Sequence, residues 1–439
     1  MAPTTLISAI FAVYGGFRAF NYQSQFPATI AFGTDERPTA QIFAERLGAS
    51  PEDFLFGIHV FFDLLNSYFW GTLENPWLED TSGFPVNYPP LVMLALKFIA
   101  FGPYKSSAII VLAVMAVCIV LPMVLAFARH DKALMLLAAG VALVSGPAIA
   151  SLDRGNIQGF IPVLLFGFGY FVLKGNWGWA SVFLITAGSI KLFPMLILIL
   201  YVSERRWRAL AGTVIVFLAV NAFAFLAFPG SWWESARTWF GYAAGFVARP
   251  DIADFLSHNS SFAGGLAHWS LVLGSPGTAE AIFANARIIG IAVFIVLALV
   301  VFMRDTLPLV VRIFVVFMAS SVALPAAYPY TSNWIIAASA LLFWSAYDVH
   351  TAKDSGAPYL QGDEVPPSPS RLGFSSLALS AALLLAFAPV FIPGTVENGY
   401  PTGIAALLTP VAVLVTLIGL SQWAVRARFS SHPDLATAR

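Results

Sequence analysis

The stretch that decides the fold is Ala180–Phe228, ASVFLITAGSIKLFPMLILILYVSERRWRALAGTVIVFLAVNAFAFLAF. Two apolar runs, 180–202 and 209–228, flank the charged turn Glu204-Arg205-Arg206-Trp207-Arg208. A bilayer core is about 30 Å thick and takes roughly 20 apolar residues per helix. Each run has that length. The stretch therefore reads as a helical hairpin in lipid, with its basic turn in the cytoplasm, where the Lys and Arg of short loops collect. Lys191 and Pro194 interrupt the first run, and a proline removes a helical donor, so this span can break into two half-helices.

The rest of the chain repeats the pattern. Twelve apolar segments are candidate spans: 4–21, 89–102, 107–128, 133–150, 159–173, 180–202, 209–228, 286–303, 308–326, 334–347, 373–392 and 403–424. The first carries Arg18 without a small-residue cleavage site after it, and reads as a retained span. Hydrophobic residues make up 59% of the chain and charged ones 10%. A soluble domain carries about 25% charge, so lipid must solvate much of this exterior. Lys plus Arg and Asp plus Glu balance at 23 each, with no basic run interleaved with aromatics, which excludes a nucleic-acid partner. Cys118 is the single cysteine, so no internal disulfide or thiolate metal site forms. The expected fold class is all-α: a polytopic integral membrane protein of about twelve transmembrane helices.

Basic residues orient it. Arg205/Arg206, the tail Arg426/Arg428, and Arg304 with Arg312 all fit the cytoplasm. Residues 22–88 and 229–285 then form two long non-cytoplasmic loops. Residues 348–372, polar and proline-rich, form a cytoplasmic linker that reads as disordered. Simple alternation nevertheless puts Arg129-His130-Asp131-Lys132 outside and Asp153-Arg154-Gly155-Asn156 inside. Both assignments reverse if the segments 89–102 and 180–202 are re-entrant or split.

The outer loops hold the chemistry-bearing residues. In 54–71, FLFGIHVFFDLLNSYFWG, residues Phe54, Ile58, Phe61, Phe62 and Leu65 make an apolar face at helical spacing, as in a helix lying in the membrane interface. Asp63 sits in its middle, far from any sequence-local Lys or Arg. Asn87-Tyr88-Pro89-Pro90-Leu91 opens the next segment with prolines suited to a first helical turn. The second long loop carries Trp232, Trp233, Trp239 and Tyr242, which fit an interfacial belt. It then runs Ser257-His258-Asn259-Ser260-Ser261, either a capped polar loop or a site for hydroxyls or a phosphate.

Taken in order, these motifs resemble the GT-C class of polyprenyl-phosphate-dependent glycosyltransferases, and most closely the phosphatidylinositol-mannoside mannosyltransferase branch. The likeness covers roughly residues 55–265. An acid is followed shortly by a tyrosine (Asp63, Tyr68), and Tyr88-Pro89-Pro90-Leu91 comes next. Gly155-Asn156-Ile157-Gln158 follows, then Lys191-Leu192-Phe193-Pro194 leading to Arg205-Arg206-Trp207, and Asn259-Ser260-Ser261 stands in the late loop. The sequence departs from the family at Thr331-Ser332-Asn333-Trp334-Ile335, where a histidine pair is absent, so no histidine role is carried over.

The resemblance implies a sugar moved from a polyprenyl phosphate, mannose first, to a glycolipid or cell-surface glycan on the non-cytoplasmic face of the cytoplasmic membrane. A phosphate leaving group needs no general acid, whereas the attacking hydroxyl must lose a proton to a base. Asp63 is expected in that role. Tyr68, Tyr88, His258, Asn259, Ser260 and Lys191 are expected to bind substrate. No cofactor is expected; Glu74, Glu79 and Asp80 offer carboxylates to a divalent cation at a spacing that is not diagnostic. Two other classes remain. A major-facilitator transporter is echoed by Asp153-Arg154-Gly155, and a non-catalytic membrane scaffold would fit the missing histidines.

Overall fold

A computed structural model describes residues 62–79, 86–128, 132–248, 259, 261–304, 307–324, 327, 329–355 and a few positions between 396 and 417. The expected spans 4–21 and 373–392, most of 403–424, the loop positions His258 and Ser260, and Phe54, Ile58 and Phe61 lie outside the described residues.

The described chain is helical. In order come α1 (Phe62–Thr72), α2 (Pro90–Ala100), α3 (Tyr104–Phe127), α4 (Lys132–Val144), α5 (Gly146–Arg154), α6 (Ile161–Leu173), α7 (Trp177–Ile190) and α8 (Ile199–Ser203). Then follow α9 (Trp207–Phe225), α10 (Trp232–Ala248), α11 (Phe262–Val272), α12 (Pro276–Ala284), α13 (Ala286–Val301), α14 (Leu309–Val322) and α15 (Trp334–Ser355). Short 3-10 turns lie at Ile157–Phe160, Phe193–Leu198 and Pro329–Asn333. A two-residue pairing of Val396–Glu397 with Tyr400–Pro401 is the one strand contact among the described residues. Helix α15 continues to Ser355, eight residues into the stretch expected to be a linker.

Two helices, Ser106–Phe127 and Trp207–Phe225, are long and apolar enough to cross a membrane. The pair α12–α13, bent by 69°, makes a third if counted as one span. The other apolar helices are shorter pieces, so twelve full-length spans are not reached among the described residues. Ile109, Ile110, Val114 and Val117 on α3, Ile215, Leu218 and Phe223 on α9, and Ile288, Ile291 and Ile295 on α13 are exposed. Apolar side chains turned outward along such helices need lipid, not water, as their solvent. The protein is an integral membrane protein. Its core is formed by α3, α6, α14 and α15 around Phe168, Tyr201, Phe314, Phe317 and Trp334, all fully buried.

Local chemistry sets the breaks. Ser145 caps α5 by accepting from the Ala148 N–H at 3.4 Å, which splits the expected span 133–150 into α4 and α5. Gly155, left-handed at φ 63°, ends α5; glycine takes that conformation without a Cβ penalty. Lys191 is extended (φ −146°, ψ 144°) after α7, and Pro194 opens a 3-10 turn, so the span 180–202 is split as its sequence allows.

The segment 89–102 holds a helix too short for a full span. Helix α2 has 11 residues, about 16 Å at 1.5 Å per residue, roughly half a bilayer core. Both its ends meet α1 or the loop behind it. Tyr88, before its start, lies edge-on to Trp70 at 5.5 Å, and the Tyr68 hydroxyl donates to Gly102 O beyond its end at 2.6 Å. Gly71 brings the two backbones together, because a Cβ there would lie 2.6 Å from Leu96 O. Helix α1 is itself enclosed: Leu64 through Trp70 are buried. The rings of Trp77, Trp239, Phe225 and Phe228 belong to the same buried cluster as Leu64, Leu65, Tyr68, Phe69 and Trp70.

Contacts between the helix ends gather into two groups. At one end Phe127 packs on Phe343 (5.2 Å), the Lys174 ammonium lies over Trp344 (4.9 Å), Arg206 over Trp177 (5.5 Å), and Glu204 pairs with Arg304 and Arg312. At the other, Asp63 meets Arg154, Lys191 meets Tyr88, Asn75 meets Ser235, and Asn333 meets Ser151. The segments 63–88 and 153–156 thus share an end, which is the reversal that a re-entrant 89–102 and a split 180–202 require.

Candidate active site

Asp63 enters α1 in its first turn. Its Oδ1 accepts from Arg154 Nη2 at 2.7 Å and its Oδ2 from Asn156 Nδ2 at 2.6 Å. The two donors flank Gly155, so the left-handed turn that ends α5 aims both at one carboxylate. Asp63 and Arg154 side chains are 14% and 15% exposed. A carboxylate has about four lone-pair positions. Two are taken here, which fixes the group's orientation and leaves capacity for a further donor. Charge-assisted bonds of this kind are short and roughly twice as strong as neutral ones.

Tyr88 and Lys191 complete the cluster. The Lys191 Nζ stands 4.2 Å from the centre of the Tyr88 ring, and both feel the Asp63 charge. The break after α7 is what frees Lys191 to reach the ring. Burial raises the Tyr88 phenol well above its ordinary value of 10.0, and Asp63 pushes it the same way; a bond from Ser67 and the Arg154 charge oppose this more weakly. Tyr88 is therefore a neutral hydroxyl at any working pH, able to donate and to accept.

The remaining expected residues fall elsewhere. The Tyr68 hydroxyl is committed to Gly102 O, with its ring edge-on to Tyr104 at 5.2 Å. Asn259 is buried, and its Oδ1 accepts from the Ser261 N–H (3.0 Å) and the Ala327 N–H (2.9 Å), so it ties the α10–α11 loop to the segment after α14. His258 and Ser260 lie outside the described residues. Glu74 has its main-chain oxygen on Lys97 Nζ at 2.8 Å, and Glu79 caps the Asn75 N–H.

Arg154 was not among the expected site residues. The signal was present: an acid in an aromatic segment without a local cation needs a distant one, and Arg154 is one of few basic residues bordering the apolar runs.

A helical bundle in lipid, with an oriented carboxylate, a tyrosine and a lysine gathered at one end, defines a polytopic membrane protein with an enclosed polar cluster. Its family follows from comparison: the family model for glycosyltransferase family 87 matches residues 86–325, more than half the chain, and the protein belongs to that family. It is a membrane glycosyltransferase, and the transporter and scaffold alternatives fall away. Curated proteins gave no match. Arg154, Asn156, Tyr88 and Lys191 lie inside the matched range; Asp63 lies just before it and is bound to it by Arg154 and Asn156.

Proposed function

We propose that this glycosyltransferase moves a sugar from a polyprenyl-phosphate donor to a hydroxyl of a glycolipid or cell-surface glycan, with Asp63 as general base. The observation that carries this reading is the Asp63 carboxylate, held by Arg154 and Asn156 beside Tyr88 and Lys191. Asp63 takes the proton of the acceptor hydroxyl as its oxygen attacks the anomeric carbon. The bond from that carbon to the phosphate oxygen breaks, and polyprenyl phosphate leaves with the electron pair. The Lys191 ammonium supplies positive charge for the departing phosphate. A single displacement of this kind inverts the anomeric centre. No cofactor takes part. Mannose as the sugar rests on the resemblance of the motifs.

The site faces the non-cytoplasmic side of the cytoplasmic membrane in this reading. Its support is the sequence of the turns at the opposite end: Lys132, then Lys174, then Arg205, Arg206 and Arg208, then Arg304. With α2 re-entrant, each of these obeys the positive-inside rule.

Purified protein in detergent, given a radiolabelled polyprenyl-phosphate mannose and a membrane glycolipid extract, is expected to transfer label. Transfer from a nucleotide sugar instead would overturn the donor assignment. In a Cys118→Ala background, Glu234→Cys and Arg208→Cys are expected to label with an impermeant maleimide from opposite sides of the membrane; labelling from the same side defeats the topology.

A further inference from the structure

Buried side-chain amides show where this protein is unfinished. Asn75, Asn156, Asn221 and Asn259 are all buried, and each amide oxygen has a donor: Trp77 N–H at 3.1 Å, Gln158 N–H at 3.0 Å, Leu91 N–H at 3.4 Å, and the Ser261 and Ala327 N–H groups. Among the described residues three buried amide oxygens have none: Asn66 Oδ1, Gln158 Oε1 and Asn333 Oδ1. These residues are 8%, 4% and 0% exposed. A buried acceptor without a donor costs about 1–3 kcal/mol, so such atoms are rare and point to a missing partner.

All three belong to elements that pack at the Asp63 end of the bundle. Asn66 follows Asp63 by three residues on α1, on the same helix face. Gln158 is two residues beyond Asn156, in the 3-10 turn whose first N–H groups Asn156 caps. The Asn333 Nδ2 donates to Ser151 Oγ on α5, one turn before Arg154, and so turns the Pro329–Asn333 segment toward that helix. Three elements distant in sequence thus each bring one unanswered amide oxygen to the end of the bundle where Asp63 stands.

We propose that Asn66, Gln158 and Asn333 form a subsite for the hydroxyl groups of a sugar ring, held against Asp63 for the transfer. Resting on the reading of Asp63 as the base, this inference adds what orients its substrate. Hydroxyls fit where other ligands do not. A phosphate brings oxygens only and cannot satisfy an acceptor, and a lipid chain brings no polar group. A pyranose or furanose ring presents several O–H donors at fixed angles, and each hydroxyl also accepts, so the amide nitrogens find partners on the same ring. The ring belongs either to the donor or to the acceptor, and one chemistry serves both.

The test uses Gln158→Met and Asn66→Leu, which keep approximate volume and remove the amide. Each takes away an unanswered polar atom, so the melting temperature of the substrate-free protein in detergent is expected to hold or rise. The kcat/KM is expected to fall about tenfold or more, the ordinary worth of one buried hydrogen bond. Melting temperature and kcat/KM falling together would mark the amides as structural, and kcat/KM within threefold of wild type would likewise overturn the proposal.

Substrates lacking single hydroxyls assign the ring. A deoxy-sugar donor that loses rate with wild type but no further rate with Gln158→Met places the contact on the donor ring; the same non-additivity with a deoxy acceptor places it on the acceptor. Additive losses in both series defeat the subsite. If wild type transfers nothing from a polyprenyl-phosphate sugar, the donor class has failed and not the subsite. Equilibrium binding of radiolabelled methyl glycosides of mannose, glucose, galactose and arabinose then decides. At least one must bind wild type and bind Gln158→Met about tenfold more weakly, and no binding overturns the proposal.

Discussion

The two ends of this bundle each carry an ion pair across helices distant in sequence, and they are finished differently. At the basic end, Arg312 is 5% exposed and makes three bonds: Nη1 to Glu204 Oε1 and to Val301 O at 3.3 Å, Nε to Leu307 O at 3.2 Å. Arg304 reaches the same Glu204 oxygen at 3.5 Å. One arginine thus fastens the end of α8 to the turn between α13 and α14. At the other end, Asp63 has two donors and room for more, and three amide oxygens there lack any. A closed polar network holds helices in place. An open one lowers the stability of the empty protein, and evolution keeps it only where something arrives to close it. The Asp63 end is the one that the proposed function uses.

The contrast is broken most forcefully at Asp63. Asp63→Asn keeps shape and the bond to Asn156 only in part, and removes the proton acceptor. Transfer is expected to fall about 10²–10⁴-fold, measured with saturating substrates and with monodispersity checked on the same sample, because Arg154 loses its partner. Turnover within a few-fold of wild type would dismiss Asp63 as base.

The opposite result is expected at the basic end. Arg312→Leu leaves Glu204 in a largely buried place, and breaking such a pair costs about 3–5 kcal/mol; the remaining Arg304 bond keeps the loss near the lower figure. Detergent unfolding would show it, while both KM values of the surviving protein stay unchanged. A changed KM would mean that the two ends are coupled.

Tyr88 gives a smaller, pH-dependent effect. Its phenol keeps a proton in the folded protein that the unfolded chain releases above about pH 10. The stabilisation is fully present below that pH and is lost as pH rises beyond it, on the order of 1 kcal/mol per pH unit. Tyr88→Phe is expected to melt less steeply than wild type between pH 9.5 and 11; equal slopes would place the phenol in water. The smallest effect is Arg304→Ala, since its partly exposed pair is worth at most about 1 kcal/mol. A larger loss would make Arg304, not Arg312, the fastening residue.

Much of this was legible in the chain. Apolar length and the scarcity of charge dictate helices in lipid, Lys191 and Pro194 mark the split span, and Asp63, Tyr88 and Lys191 do meet. What the pattern hid was depth and partnership. The period of 54–71 shows an apolar face but not that Leu64 through Trp70 are all buried. Residues 89–102 have spanning composition, yet only the structure shows that the helix has 11 residues and packs along α1. Arg154 lies 91 residues from Asp63, and Asn333 lies 182 from Ser151. At such separations a single sequence shows that Asp63 needs a cation but does not name which one. Tyr68, which stands five residues from Asp63 in the motif, belongs instead to the joint between α2 and α3.

Gly71 carries no chemistry and touches no substrate group, yet it sets the spacing of α1 on α2 at backbone contact. In a saturation library scored for growth or transfer, position 71 would therefore look like a catalytic residue, refusing even alanine. Such a scan, read alone, would report two intolerant positions eight residues apart and could not say which one meets the sugar. Rescue separates them. A smaller side chain across the joint at Ala100, as in Ala100→Gly, relieves part of what crowds an alanine at 71, whereas no change of packing restores a missing carboxylate at 63.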